Sequence, residues 1–554
     1  MKIHAKKWTY GAVIPICLLL FILTGIPIGV IFYRALVYEG SLDVGQTIQT
    51  IMNPDNLQTI TNTLLLGIAV VICSTVLALP LAFLTVRTKI AEKKWLDIVL
   101  LIPFMTPPYI ASMGWILFTQ RRGLFQQMFP FTGDFSENFF SFWGLVLTMS
   151  FHLFPFILTI LKNALLNIGA SLDESAVIFG GGFFYRLRRV TLPLITGNYA
   201  IGALLVFVKA VSEYGTPATI GQRIGFSVFV TAIHHHATIA PINFNAAASL
   251  SSLLIFICFC IWFIQNYVTA KKSYKLVEGK GTKRVVKKLA LHQKIATWGY
   301  IIALLVVAIG IPYFSVVMTS LIRLRGQGMV SGNFTLAHYS QLLTENPRAL
   351  QAFKNSLFLA FFSATIAAVL GTICASIIYF SQTKFRKVLH VMSLLPDMLP
   401  SIVFSIGIMI FWNSIFHIIP LYNHIGIMLL AYVTLFLPFS IQYVTSSYTQ
   451  IADSLIWAGS VFGGKPFYVF RRIIFPLLLR GIFVGWMMTF IISFRELVTA
   501  SILSPPNTLV VSTFIMREFE QGSVSVGMAM AVLTVLFTTG TLIVINSFLR
   551  REEV

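Results

Sequence analysis

Apolar runs of about twenty residues recur along the whole chain, separated by shorter polar connections. A helix needs about that many residues to cross the hydrocarbon core, whereas the strands of a membrane barrel are about ten residues long and alternate in polarity. The runs lie near 13–32, 61–84, 96–118, 143–161, 194–212 and 246–268, and then near 297–320, 355–380, 388–412, 425–443, 477–494 and 524–548. The pattern predicts an all-α polytopic membrane protein with about 12 transmembrane helices, six in each half. Helices satisfy their own backbone hydrogen bonds, which lipid cannot do for them.

The halves repeat each other. Leu57-Gln58, Asn62 and Leu64 are echoed by Leu350-Gln351, Asn355 and Leu357, and Pro103 and Pro107 by Pro396 and Pro400, all at an offset of 293. Farther along, the offset falls to 283, and the missing ten residues belong to the third-to-fourth connection, which is long in the first half and short in the second. The chain therefore reads as an internal duplication of two parallel six-helix units, 1–270 and 295–554, joined by a basic linker at 271–294.

The fourth-to-fifth connections, 165–193 and 447–476, carry the strongest echo. Each places a glycine thirteen residues before a proline, Gly180 with Pro193 and Gly463 with Pro476, and an Arg-Arg pair between them. Asp173 or Ser171 can cap a short helix running to Phe179, Gly180 permits a tight bend, and Pro193 suits the first turn of the fifth span. A helix-turn-helix across the membrane surface results, with Arg186, Arg188 and Arg189 free to face lipid headgroups or an acidic partner. Two copies at matched spacing point to docking rather than to snorkelling alone.

Composition supports the membrane assignment and redirects the charge. The chain is 57% hydrophobic and 11% charged, with mean hydropathy +0.83. Its net charge of +21 sits in alternate connections: Lys2, Lys6 and Lys7 before the first span, Arg87, Lys89, Lys93 and Lys94 after the second, and nine Lys/Arg between Lys271 and Lys294. That is the positive-inside pattern, placing both termini and the linker in the cytoplasm and arguing against nucleic acid. The five cysteines fall in apolar spans and read as small core residues, and the first apolar run reads as a retained helix rather than a cleaved leader.

Charges inside spans are functional candidates. Glu213, followed by Tyr214, and Glu496, preceded by Arg495, correspond at the offset of 283, each about twenty residues after its proline and so near the far end of its span. They read either as hard oxygen ligands along a cation pathway or gate, or as packing groups paired with Lys209 and Arg495. Gly215 and Pro217 break the helix just beyond. His234-His235-His236 is a weak metal candidate, since adjacent histidines on a helix point apart. Asp397 lacks an acidic counterpart and reads as a local cap or partner, and Pro103, Pro107 and Pro108 read as a kink in the third span.

Glu174-Ser-Ala176, Gly180, Val190 and Leu192-Pro193 resemble the Glu-Ala-Ala loop of bacterial ABC importer permeases, with every spacing kept. The second copy keeps Gly463, Ile473 and Pro476 but has Trp457-Ala-Gly459 where Glu-Ala-Ala is expected. The resemblance covers both halves and implies a fused type I importer permease whose loops couple to two copies of an ABC ATPase that bind ATP and Mg. It also implies an extracytoplasmic binding protein or lipoprotein and a bacterial inner membrane location. No phosphate-binding loop has the required spacing: Gly279-Lys-Gly-Thr282 and Gly463-Gly-Lys465 both fail it. The stretch from Arg495 to Pro506 resembles ferric permeases, which makes ferric iron the first substrate expectation. Phosphonate, thiamine, a polyamine, or an ion-gradient-driven carrier remain alternatives.

Overall fold

The computed structural model describes residues 13–38, 40–168, 175–176, 178–271, 289–381 and 385–551. Among them, ten helices are long and apolar enough to cross a membrane: Val13–Leu36, Pro54–Arg87, Phe142–Leu166, Phe184–Ser212, Phe244–Val268, Leu291–Leu321, Pro347–Phe380, Ile425–Gln450, Pro466–Phe494 and Val524–Ile543. Two further helix pairs pass only jointly. Trp95–Met105 meets Pro108–Thr119 at 87°, and Phe385–Met398 meets Ser401–Ser414 at 109°. Pro107 and Pro400 cap the second member of each pair in extended geometry. The proline pairs that suggested a kink thus mark near-right-angle breaks in the third and ninth spans, because a proline cannot continue the preceding turn.

Several prolines lie inside spans rather than at their starts, and four of them, Pro27, Pro193, Pro312 and Pro476, are admitted in the same way. A five-residue π-turn precedes the X-Pro step at Phe21–Gly25, Leu187–Thr191, Val306–Gly310 and Phe470–Ile474. In each, the residue before the proline donates its N–H to a carbonyl five residues back: Ile26 to Phe21, Leu192 to Leu187, Ile311 to Val306 and Phe475 to Phe470. The wider turn draws the carbonyl away from the pyrrolidine ring, which would clash with it in a regular helix. Pro193 was expected at the first turn of the fifth span. The span instead begins at Phe184, and Pro193 stands well inside it.

By contacts the chain forms two compact units. One comprises Met1–Ile51, Ile233–Ile255 and Leu336–Val554, and the other comprises Met52–Ala232 and Phe256–Thr335. The sequence repeat and the packing units therefore divide the chain differently, with the first span counted among second-half helices and the seventh among first-half ones. Each grouping is held by a glycine against a proline. A Cβ on Gly114 would lie 2.6 Å from the Pro312 carbonyl oxygen, and one on Gly407 would lie 2.6 Å from that of Pro27, so only glycine allows these helices to meet. Of the cysteines, Cys258 and Cys374 are buried, while Cys260 is exposed on its span and is not a core residue.

Candidate functional site

The second fourth-to-fifth connection opens with a helix at Asp453–Val461, closed by Phe462. Gly463 follows at φ +82°, its N–H bonding the Ser460 carbonyl at 3.2 Å while the Gly464 N–H bonds that of Gly459 at 3.0 Å. This is a Schellman close, which needs a left-handed residue and so favours glycine. The first connection repeats it: Gly180 has φ +76°, and the Gly181 N–H reaches the Ala176 carbonyl at 2.8 Å. Glu174, with Ser171 and Asp173, lies outside the described residues.

The close holds a pair of matched apolar crowns in the open. Phe179 and Phe462 are each 90% exposed, and Phe184, Tyr185, Phe467 and Tyr468 are exposed beside them. The motif reading overlooked these side chains because it followed the glycine and proline frame, although they recur at the same offset of 283. Exposed aromatics held on a fixed turn are what a protein partner can bury.

Beneath the crowns the two connections differ. In the second, Ile456, Val469 and Ile474 pack with Val444, Tyr448 and Leu478 of the adjoining spans. Gly459 stands where the first copy has Ala176, and a Cβ there would fall 2.5 Å from the Ile473 Cδ1, so this turn sits closer on its own span. The Tyr379 hydroxyl donates to Asp453 Oδ1 at 3.1 Å, Tyr379 stacks on Tyr448 with ring centroids 4.8 Å apart, and the Tyr448 hydroxyl lies 2.6 Å from Ser376 Oγ. A polar and aromatic chain thereby ties the eighth span to the start of the helix. Val86 and Leu165 occupy the corresponding first-half positions and cannot form it. Trp457, at the position of Glu174, is 64% exposed. The first half has its own tie, an ion pair between Lys162 and Asp97, where the second half carries Thr445 and His390.

The matched glutamates occupy matched breaks. The fifth span ends at Ser212, and both Glu213 carboxylate oxygens accept the Thr216 N–H, at 3.1 and 3.0 Å. The eleventh ends at Phe494, and Glu496 Oε1 accepts both the Thr499 N–H at 3.1 Å and its hydroxyl at 3.2 Å. Each carboxylate caps the backbone that follows, at Pro217–Gly221 and at Val498–Leu503. Tyr214 is buried, Arg495 is half-buried, and a Cβ on Gly215 would press on Tyr109 at 3.0 Å.

Beyond each break the chain is fastened to the second or eighth span by the same two bonds. Asn62 Nδ2 donates to the Ser227 carbonyl at 3.0 Å, and the Phe229 N–H donates to Thr63 Oγ1 at 2.7 Å. Asn355 Nδ2 donates to the Leu509 carbonyl at 2.9 Å, and the Val511 N–H to Ser356 Oγ at 2.8 Å. The asparagines that marked the repeat in sequence thus hold the chain beyond each break in place. The histidine run forms no metal centre: among the described residues no group of three His, Cys, Asp or Glu side chains is placed to hold an ion. Burial, with His235 beside it, holds the His234 imidazole down to about 4.

Residues 367–552 match the family described as binding-protein-dependent transport system inner membrane component. The Fe(3+)-transport system permease protein FbpB 2 of Haemophilus influenzae is 24% identical, over 94% of this chain and 96% of its own. The ferric transport system permease protein FbpB of Actinobacillus pleuropneumoniae is 24% identical, over 95% of this chain and 76% of its own. The sulfate transport system permease protein CysW of Escherichia coli is 29% identical over a third of the chain, 32% of it and 60% of its own.

Proposed function

We propose that this chain, a binding-protein-dependent transport inner membrane component by its residues 367–552 and similar to ferric permeases along nearly its whole length, forms the membrane pathway of an ATP-driven importer of ferric iron. It is a multi-pass inner membrane protein of the ABC importer class. The duplicated fourth-to-fifth connection carries the reading: two aromatic crowns, each set by a left-handed glycine, give two sites for two copies of an ABC ATPase. Those subunits bind ATP and Mg, and an extracytoplasmic binding protein or lipoprotein delivers the solute. Both termini and the linker at 271–294 lie in the cytoplasm, so the crowns face the ATPases.

Glu213 and Glu496 serve this pathway as structural caps of a gate. A carboxylate that already accepts backbone N–H groups holds the break in register, and its loss loosens the segment behind Tyr214 or Arg495. Ferric iron rests on the relatives from Haemophilus influenzae and Actinobacillus pleuropneumoniae, which match along almost the whole chain; the sulfate permease matches only about a third of it. The deciding experiment measures iron uptake into proteoliposomes holding the chain with its ATPase and binding protein. Uptake that proceeds without ATP, or with the ATPase left out, sinks the proposal.

A further inference from the structure

The two packing units carry equivalent pockets at the ends of equivalent helices, and the pockets differ sharply in charge. In the unit containing Met52–Ala232, a cavity of about 270 Å³ is lined by Gln120, Arg121, Arg122, Thr319 and Arg325. In the other, a cavity of about 350 Å³ is lined by Arg34, Asn243, Asn413, Ser414 and Tyr422. The repeat relates them: Gln120 corresponds to Asn413 at the offset of 293, and Thr319 to Arg34 at the 285 that also relates Pro312 to Pro27. One site has three guanidinium groups and its counterpart has one.

The cationic pocket is built from extra chain. After the first span a short hairpin pairs Val37 with Leu42. After the seventh, the matching bridge joins Ile322 to Phe334 and encloses a longer loop organised by Asn333, which is 2% exposed. Asn333 Oδ1 accepts the Leu324 N–H at 2.9 Å, and its Nδ2 donates to the carbonyls of Leu324 and Gly328 at 2.8 and 2.7 Å. The opposite wall is the long third-to-fourth connection, where Arg122 adopts φ +55°, an uncommon conformation for a side-chain-bearing residue. Gln127 ties the walls together, its Oε1 accepting the Met329 N–H at 2.9 Å and its Nε2 donating to the Arg122 carbonyl at 2.8 Å. Both insertions that distinguish the halves at this end therefore converge on one set of arginines.

Those arginines are little neutralised. Arg121 approaches Asp134 at 3.6 Å, but with the guanidinium side chain 85% exposed that pair contributes little. Among the described residues, Arg122, Arg325 and Arg34 have no carboxylate within salt-bridge distance. Guanidinium forks bind carboxylates through paired hydrogen bonds, and arginine ranks among the residues that dominate protein interfaces.

We propose that the Arg121–Arg122–Arg325 pocket receives carboxylate side chains of the binding protein that delivers the solute, and that the weaker Arg34 pocket does not. Its three arginines lie in connections beyond the spans. The two pockets are equivalent in sequence and differ in charge, and a carboxylate-bearing partner selects between them on that difference. This rests on the importer reading, which turns this end of the spans toward the delivering protein.

The test uses the full chain in nanodiscs of neutral phosphatidylcholine, with a labelled hexaglutamate peptide as the probe of a carboxylate-bearing surface. The R121Q/R122Q/R325Q chain is expected to bind it about tenfold more weakly, and R34Q no more than about twofold, with binding weakened by salt. The R121K/R122K/R325K chain, which keeps the charge but not the guanidinium fork, is expected to bind more weakly than the unaltered protein and more tightly than the glutamine triple. Equal losses in the glutamine triple and R34Q, no loss in the triple, or a lysine triple as weak as the glutamine triple each overturn the proposal. So does displacement of the peptide by inorganic phosphate at matched ionic strength, which makes this a free-anion site. Retention of anionic phospholipid by the unaltered chain on purification from an anionic bilayer, and not by the glutamine triple, assigns the pocket to lipid and also overturns the proposal. ATP-dependent uptake is measured separately: peptide binding without uptake leaves the pocket standing and sinks the importer reading, and uptake without peptide binding does the reverse.

Discussion

The first and second fourth-to-fifth connections have the same outline and different attachments. Both close on a left-handed glycine and expose the same aromatic crown. The second is tied through Tyr379, Tyr448 and Asp453 to the eighth span, while the first half has the Lys162–Asp97 pair, at positions held by Thr445 and His390 in the second. The exposed aromatic surface is alike in the two copies, and its attachment to the adjoining spans differs.

Four pairs of substitutions test this comparison, the first three read as ATP hydrolysis by the partner ATPase in proteoliposomes and the last as coupled transport, with thermal stability of the purified chain as the control. Gly180→Val and Gly463→Val force a β-branched residue into the left-handed region, at about 1–2 kcal/mol or more, and each is expected to lower stimulated hydrolysis at least about tenfold. If only one does, the two closes are not equivalent. Phe179→Ala and Phe462→Ala come next, each costing about 2 kcal/mol of docking energy if the crowns are interface anchors. Unaltered hydrolysis in both would remove the crowns from the interface.

Glu174→Lys is expected to lower hydrolysis several-fold, and more than Trp457→Lys does, because only the first copy keeps the acidic residue of the motif. Equal sensitivity would make the two sockets chemically interchangeable. The smallest effect is expected from Tyr379→Phe, which removes one hydrogen bond of about 1 kcal/mol and should lower coupled transport about threefold with the ATPase still bound. Val86→Ala, at the matching position, should change nothing beyond a small loss of stability.

Much of this was readable from residues alone, and the gaps have physical causes. Hydrophobic runs report that a helix exists, so most spans came out near their observed bounds, whereas the fifth and eleventh begin about ten residues earlier than expected and the third and ninth are broken. Periodicity cannot report which helix packs on which. The grouping of the first span with second-half helices rests on the contact of Gly407 with Pro27, and no local pattern announces it. Prolines were legible as disruptions, but not whether the chain would break, as at Pro107, or widen into a π-turn, as before Pro193. That outcome depends on neighbours that can accept an altered carbonyl. Glu213 and Glu496 were legible as a matched pair of acids, while their use as caps depended on the backbone turning back within three residues.

The glycine and proline contacts also set an order of assembly during synthesis. Pro312 follows Gly114 through the ribosome and can meet it while the second half is still being made. Pro27 enters the bilayer while its partner Gly407, hundreds of residues later, is not yet synthesised. The first span must therefore remain in lipid without its permanent neighbours until most of the chain has been inserted. During that interval the insertion machinery, or chance encounters with other proteins, has the greatest opportunity to misdirect it.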